Sequence, residues 1–289
     1  VNEPTVPSPL FPAPPVAPPP VIPEPSTDPL AKVMLTRGFE IFKRAWGPIM
    51  VSILCMIVAQ VPVQVLSFMV NLASIPTRGG RPAPGAPPEF TPAMAAMMVF
   101  SWIYGFLVVM PMAAGSVMLV VRISRGRPVE WADLLCGFRR FVPVVLAGFL
   151  QSLALCAAVF AAALVIALVA WIVGQVAQGF VLIAVIAPLV LVGLLFAIWL
   201  SVRLYPSVFV AADPEMPRIS ATQALARSWE ITGGNVTHLV VGMLIAGLIA
   251  IASILLLCVG YLLVGVPYLA AVTAVAYDEL TRRARRTVV

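Results

Sequence analysis

Residues 141–202 read FVPVVLAGFLQSLALCAAVFAAALVIALVAWIVGQVAQGFVLIAVIAPLVLVGLLFAIWLSV, 62 residues between Arg140 and Arg203 without one Asp, Glu, Lys or Arg. A helix crossing the hydrocarbon of a bilayer needs about 20 apolar residues. The run therefore holds two crossings and a short turn, which Gly174-Gln175-Val176-Ala177-Gln178-Gly179 supplies. A second run, the 47 residues between Glu230 and Asp278, holds two more crossings, with a less sharply marked turn around Cys258-Val259-Gly260-Tyr261. Two further spans precede them, roughly Ile49 to Ile75 and Ala93 to Val121. The expected fold is an all-α polytopic membrane protein with six transmembrane helices, at about 49–75, 93–121, 142–173, 180–202, 236–257 and 262–279.

Composition across all 289 residues agrees. Charged residues are 10% of the chain and hydrophobic residues 61%, with a mean hydropathy of +1.04. An ordinary soluble domain carries about 25% charged residues, so a water-soluble globular fold is excluded. A transmembrane barrel is disfavoured because its strands alternate over about 10 residues, whereas these runs are continuously apolar. Helices also satisfy their own backbone hydrogen bonds in lipid.

The distribution of charge predicts an orientation. Of the 18 basic residues, 16 lie before span 1, between spans 2 and 3, between spans 4 and 5, or in the C-terminal tail. Arg78 and Arg81 alone fall on the opposite side. By the positive-inside rule both termini are expected in the cytoplasm. Sixteen of the 18 cations are Arg. With the Ala, Gly and Pro content this resembles a product of a GC-rich bacterial genome, so the expected location is the bacterial cytoplasmic (inner) membrane.

Three domains are expected. Residues 1–29 hold 12 of the 28 prolines and read as a disordered or polyproline-II-like cytoplasmic spacer. With no cation before Lys32 and no unbroken apolar core, this stretch does not read as a signal peptide. Residues 30–282 form the membrane domain, and 283–289 a basic tail. Asp28-Pro29 reads as a helix start. Leu30, Val33, Met34, Ile41, Phe42 and Ala45 then form one apolar face of a helix expected to rest in the membrane interface, ending at the aromatic anchor Trp46. Similar segments precede spans 3 and 5, ending Phe138-Arg139-Arg140-Phe141-Val142-Pro143 and running Ala224-Leu225-Ala226-Arg227-Ser228-Trp229-Glu230. The unit of interfacial helix plus hairpin would then occur three times, by duplication or by convergence on interfacial anchoring.

Chemistry is sparse. No ionisable residue is expected at mid-span, where ion-coupled carriers place one. Phosphate-binding, dinucleotide-binding and nucleophile-elbow motifs are absent. The single histidine, His238, has no Cys, His or carboxylate beside it. Cys55, Cys136, Cys156 and Cys258 lack metal-ligand spacing and read as small apolar residues. No catalytic residue, metal, cofactor or nucleic acid is expected. Gln60, Gln64, Ser67 and Asn71 recur on one face of span 1. Two roles remain open for them: lining a polar cavity, or hydrogen-bonded contact between helices. Gly242, Ala246 and Ala250 in span 5, and Ala154, Ala158 and Ala162 in span 3, place small residues on one face and favour close packing.

The two inner loops carry the most distinctive text. Arg125-Gly126 leads to Asp133-Leu134-Leu135-Cys136-Gly137-Phe138. Pro206 is followed by Asp213. Ala224-Leu225-Ala226-Arg227-Ser228-Trp229-Glu230-Ile231-Thr232-Gly233-Gly234 precedes span 5, and Pro267 with Tyr277 to Leu280 closes span 6. This pattern resembles a broad bacterial superfamily of six-span membrane proteins that includes the membrane domains attached to some glycerophosphodiester phosphodiesterases. The resemblance covers about residues 30–282 and implies the six-span fold. It implies no activity, because the catalytic phosphodiesterase domain has no counterpart in this sequence.

The functional expectation is a non-enzymatic scaffold, assembly or envelope-homeostasis factor. Arg122, Arg125, Arg127, Arg203, Arg227 and Trp229 would face anionic lipid headgroups, a protein partner or a second copy of the chain. Asp213 or Glu215 is expected to pair with Arg203 or Arg218. The alternative is a channel or facilitative transporter lined by the polar stripe of span 1.

Overall fold

The computed structural model describes residues 28–73, 91–175, 180–256 and 259–286. The proline-rich segment, most of the loop between spans 1 and 2 with Arg78 and Arg81, the turn at 176–179, Cys258 and residues 287–289 lie outside the described residues. Everything described is helix or connection, with no strand among the described residues. Six helices are long and apolar enough to cross a membrane: Leu30–Leu72, Pro92–Ser124, Phe141–Gln175, Ala184–Ala212, Val236–Leu255 and Tyr261–Arg286. The fold is all-α, as the charge-free runs predict.

The first helix, α1 (Leu30–Ala73), joins the expected interfacial segment and span 1 into one element. Its backbone breaks at Ala45, where φ is −118° and ψ is 21°. Pro48 explains the break, since it has no N–H to donate and its ring crowds the carbonyl one turn earlier. The apolar face expected to meet lipid packs instead on protein. Leu30 and Met34 are buried with Leu239, Tyr268, Val272 and Leu280.

Span 2 consists of α2 (Pro92–Tyr104), a widened π-turn at Gly105–Val109, and α3 (Met110–Ser124). Thr91 caps α2 by accepting the Met94 N–H at 3.3 Å. The π-turn ends two residues before Pro111, and a second one, Tyr261–Gly265, ends two residues before Pro267 in the last helix, α10 (Val266–Arg286). Each proline removes one backbone donor, and the wider turn accommodates its ring. Pro267 also leaves the carbonyl of Leu263 without its usual partner. Trp46 Nε1 donates to that carbonyl at 2.8 Å, so this tryptophan joins α1 to span 6.

The connection from span 2 to span 3 differs from the expected interfacial helix. It is a tight 3-10 turn at Trp131–Leu135 followed by one short helix, α4 (Cys136–Arg139). It folds back along α3, and the contact depends on two glycines. A Cβ on Gly115 would lie 1.9 Å from the Leu134 carbonyl oxygen, and one on Gly137 would lie 2.1 Å from that of Pro111. Backbone meets backbone at both places, so a side chain has nowhere to go.

Spans 3 and 4 are α5 (Phe141–Gly174) and α6 (Phe180–Leu204), which face each other where a Cβ on Gly193 would lie 3.5 Å from Ala162. The described surface of this hairpin is largely exposed apolar side chain, including Leu153, Phe160, Leu168, Trp171, Val192 and Leu195. After it come α7 (Pro206–Ala212), buried at every residue, α8 (Ala221–Thr232) and α9 (Val236–Ala252). Ser220 caps α8 in a reciprocal capping box with Gln223. Lipid gives apolar side chains no reason to leave it, so helices associate through close packing of small residues. The main core accordingly holds Ala114, Ala147, Ala211, Ala224, Ala271 and Ala274 around Leu119, Phe209 and Tyr277. Gly242, Ala246 and Ala250 of α9 are buried, and Met34 and Ala31 press on Gly242, so this stripe serves internal packing.

Gly115→Ala and Gly137→Ala are each expected to lower stability by about 1–3 kcal/mol through overpacking. Gly247→Ala, which meets nothing within 4 Å, should be neutral or mildly stabilising. Denaturant unfolding in micelles checks this. Equal stability of wild type and Gly115→Ala would contradict the close approach.

Candidate functional site

The helix ends that carry the arginine-rich connections converge on Arg125. Its position follows from the residue after it. Gly126 adopts φ of +71°, a conformation that favours glycine. There the Gly126 N–H bonds the Ile123 carbonyl and the Arg127 N–H bonds that of Arg122, both at 3.0 Å. These are the two bonds of a Schellman helix end, and they stop α3 with Arg125 pointing back across the bundle.

Three carboxylates from two other segments receive it. Nε lies 3.0 Å from Asp278 Oδ1, Nη2 3.1 Å from Asp213 Oδ2, and Nη1 3.0 Å from Glu215 Oε1. The Arg125 side chain is 10% exposed and that of Asp213 0%. Tyr277 OH donates to Asp213 at 3.0 Å and Ser124 Oγ to Asp278 at 3.1 Å. Arg282 adds a second cation on Asp278 at 2.7 Å, and Arg127 one on Glu215 at 3.0 Å. Burial alone would lower the pKa of Arg125. Asp213 and Asp278 outweigh it and hold the pKa above its ordinary value, so the guanidinium stays charged at every relevant pH. A buried ion pair is tolerable only when its hydrogen bonds are satisfied this fully.

Neighbouring pairs fix the surrounding segments. Arg122 binds Asp133 at 2.6 Å, holding the 3-10 turn to α3. Desolvation, assisted by Asp133, pushes the nearby Cys136 thiol up to about 11, so it stays neutral. Arg140 donates to the carbonyls of Pro214, Met216 and Pro217, anchoring the α7–α8 connection to the start of α5. Arg37 of α1 meets Glu279 of α10 at 3.4 Å, and Arg283 meets the same carboxylate at 3.0 Å. Beside the cluster lies a cavity of about 300 Å³, lined among others by Arg37, Glu40, Arg44, Ser124, Arg125 and Asp278.

The residues singled out from the sequence divide accordingly. Arg122 and Arg125, expected to face lipid, turn inward to carboxylates, and Arg127 shares Glu215 with Arg125. Asp213 and Glu215 pair with Arg125, and not with Arg203 or Arg218, because the α3 end brings the guanidinium between them. Arg203 lies against the rings of Trp199 and Trp229, at 4.9 and 4.2 Å. Arg227 pairs with Glu230 at 2.7 Å on the exposed side of α8. Gln60, Gln64 and Asn71 are exposed and Ser67 half-buried, and none of the four lines the cavity beside Arg125. His238 is exposed. Sequence reasoning missed Asp278 and Tyr277 as part of a site. The signal present was a carboxylate ending a 47-residue charge-free run.

No protein-family model matches the chain, and neither a curated protein nor a solved structure is significantly similar to it.

Arg125→Gln leaves three carboxylates without their shared cation. The expected loss is about 3–5 kcal/mol, the usual consequence of breaking a buried pair from one side. Arg125→Lys keeps the charge but not the fork that serves three acceptors, and should lose less. Unfolding in micelles measures both, and a Gln variant within about 1 kcal/mol of wild type, a loss typical of an exposed pair, would contradict the buried network.

Proposed function

We propose that the protein is a non-enzymatic scaffold or assembly factor of the bacterial cytoplasmic membrane. It contacts anionic lipid or a protein partner through a basic inner face, with both termini in the cytoplasm. The observation that carries this reading is the sorting of charge at the inner face. Asp133, Asp213, Asp278 and Glu279 are buried and paired with arginine. Lys43, Arg44, Arg139, Arg218 and Arg285 are exposed and pair with no carboxylate among the described residues. Burying these four carboxylates leaves the exposed cations outnumbering the exposed acids Asp28, Glu40, Glu130, Glu215 and Glu230 among the described residues.

Cations close to the inner leaflet each gain about 1 kcal/mol from its negative potential, so several on one face suffice for a preference among lipids. The cluster around Arg125 suits a structural role, since every charged group in it already has a partner. The superfamily resemblance fits this reading, because its members carry the six-span unit with and without an attached enzyme.

The full chain in nanodiscs of mixed phosphatidylglycerol and phosphatidylcholine is expected to enrich phosphatidylglycerol, less so at high salt. The quadruple variant Lys43→Glu, Arg44→Glu, Arg139→Glu, Arg218→Glu should lose the enrichment. A stoichiometric small solute co-purifying without lipid or protein partner would overturn the proposal in favour of a facilitator.

A further inference from the structure

Arg203 is the first charged residue after the 62-residue apolar run, which puts it where a lipid-facing helix leaves the hydrocarbon. Its partners are unusual for such a cation. Asp213 and Glu215 belong to Arg125, and among the described residues no carboxylate or carbonyl accepts a hydrogen bond from the Arg203 guanidinium. Its Nε is buried without an acceptor. An unsatisfied buried donor on a charged group costs free energy, and the Nη groups have no protein acceptor either among the described residues.

The guanidinium is nevertheless held in place. It lies 4.2 Å from the Trp229 ring centroid and 4.9 Å from that of Trp199, and the two indoles meet edge to face at 5.5 Å. Ser228 Oγ, one residue from Trp229, donates to the Arg203 backbone carbonyl at 2.7 Å, fixing α8 against the end of α6. The perpendicular indoles hold the cation from two sides, and its Nη groups, which unlike Nε are not among the buried unpartnered atoms, remain for an outside acceptor. These groups match the oxygens of a phosphate.

The surface below selects the source of the phosphate. Val192, Phe196, Trp199 and Arg203 fall at i, i+4, i+7 and i+11, one face of α6. Val192 is 63% exposed and Phe196 49%, and Phe196 stacks on Trp199 at 5.8 Å. An apolar track thus leads along the helix to an aromatic-held cation at headgroup depth, where tryptophan concentrates.

We propose that Arg203, with Trp199 and Trp229, forms a binding site for the phosphodiester of one inner-leaflet phospholipid, whose acyl chain lies along Val192 and Phe196. The site rests on the reading that the inner face meets lipid, and it adds a defined position to that diffuse attraction.

Native mass spectrometry of the full chain in micelles titrated with phosphatidylglycerol tests it. The wild type should retain one tightly held lipid. Arg203→Gln should lose it, and Arg203→Lys should hold it about tenfold more weakly, for want of the planar fork. Trp229→Leu, at an exposed position, should weaken it as well and serves if Arg203→Gln fails to fold. The quadruple Glu variant above should keep this lipid. Equal retention by wild type, Arg203→Lys and Trp229→Leu overturns the site alone. Displacement of the lipid by excess inorganic phosphate overturns the assignment to a phospholipid. A wild type without preference for phosphatidylglycerol over no lipid overturns both the site and the basic-face reading.

Discussion

One guanidinium shared by three carboxylates closes one end of this bundle. Arg125 leaves α3, meets Asp213 and Glu215 beyond α7, and meets Asp278 on α10. The same segments also meet in the core, where Ala114, Phe209, Ala211, Ala271 and Tyr277 pack together. Within lipid the hydrophobic effect does not drive helix against helix, and the parts of α1, α5 and α6 away from this end expose apolar side chains almost all round. Specific polar contacts at this end therefore add to small-residue packing in setting which helices adjoin. The arginine on Asp133, the arginine on the carbonyls of the α7–α8 connection, and the pair joining α1 to α10 extend the same arrangement outward.

The same constraint decides what reaches the surface. A chain with 10% charged residues has few carboxylates, and four of them, Asp133, Asp213, Asp278 and Glu279, are buried against arginines. The arginines most conspicuous in the sequence, Arg122 and Arg125, are the ones turned inward. The less conspicuous Lys43, Arg44, Arg139 and Arg218 stay exposed. Arg203 belongs to neither group, being held by indoles where others are held by acids. The proposed lipid contacts follow from this division and not from net charge alone.

Much of the fold is legible in the sequence because bilayer thickness converts apolar run length into a span count. The runs ending at Arg203 and Asp278 each resolve into two helices, as their lengths require. Three features are not legible in that way. The helix expected to lie in the interface before span 1 is continuous with it, because its apolar face finds α9 and α10 before it finds lipid. The segment before span 3 turns into a 3-10 turn and one short helix, because Gly115 and Gly137 admit it against α3. Nothing in the periodicity of residues 128–140 announces that docking. Arg125 and Asp213 are 88 residues apart, and charge pattern alone cannot choose between Arg125, Arg203 and Arg218 as the partner. What was readable was the Arg-Gly turn itself, whose geometry aims the side chain.

The coupling between Arg125 and Asp213 tests the account most directly. A double-mutant cycle on unfolding in micelles, with Arg125→Ala, Asp213→Ala and both together, separates their interaction from the loss of each side chain. The account predicts a coupling of about 1–3 kcal/mol, as for contacting groups in one network. Additive losses, within about 0.5 kcal/mol, would contradict the claim that this pair holds that end of the bundle together.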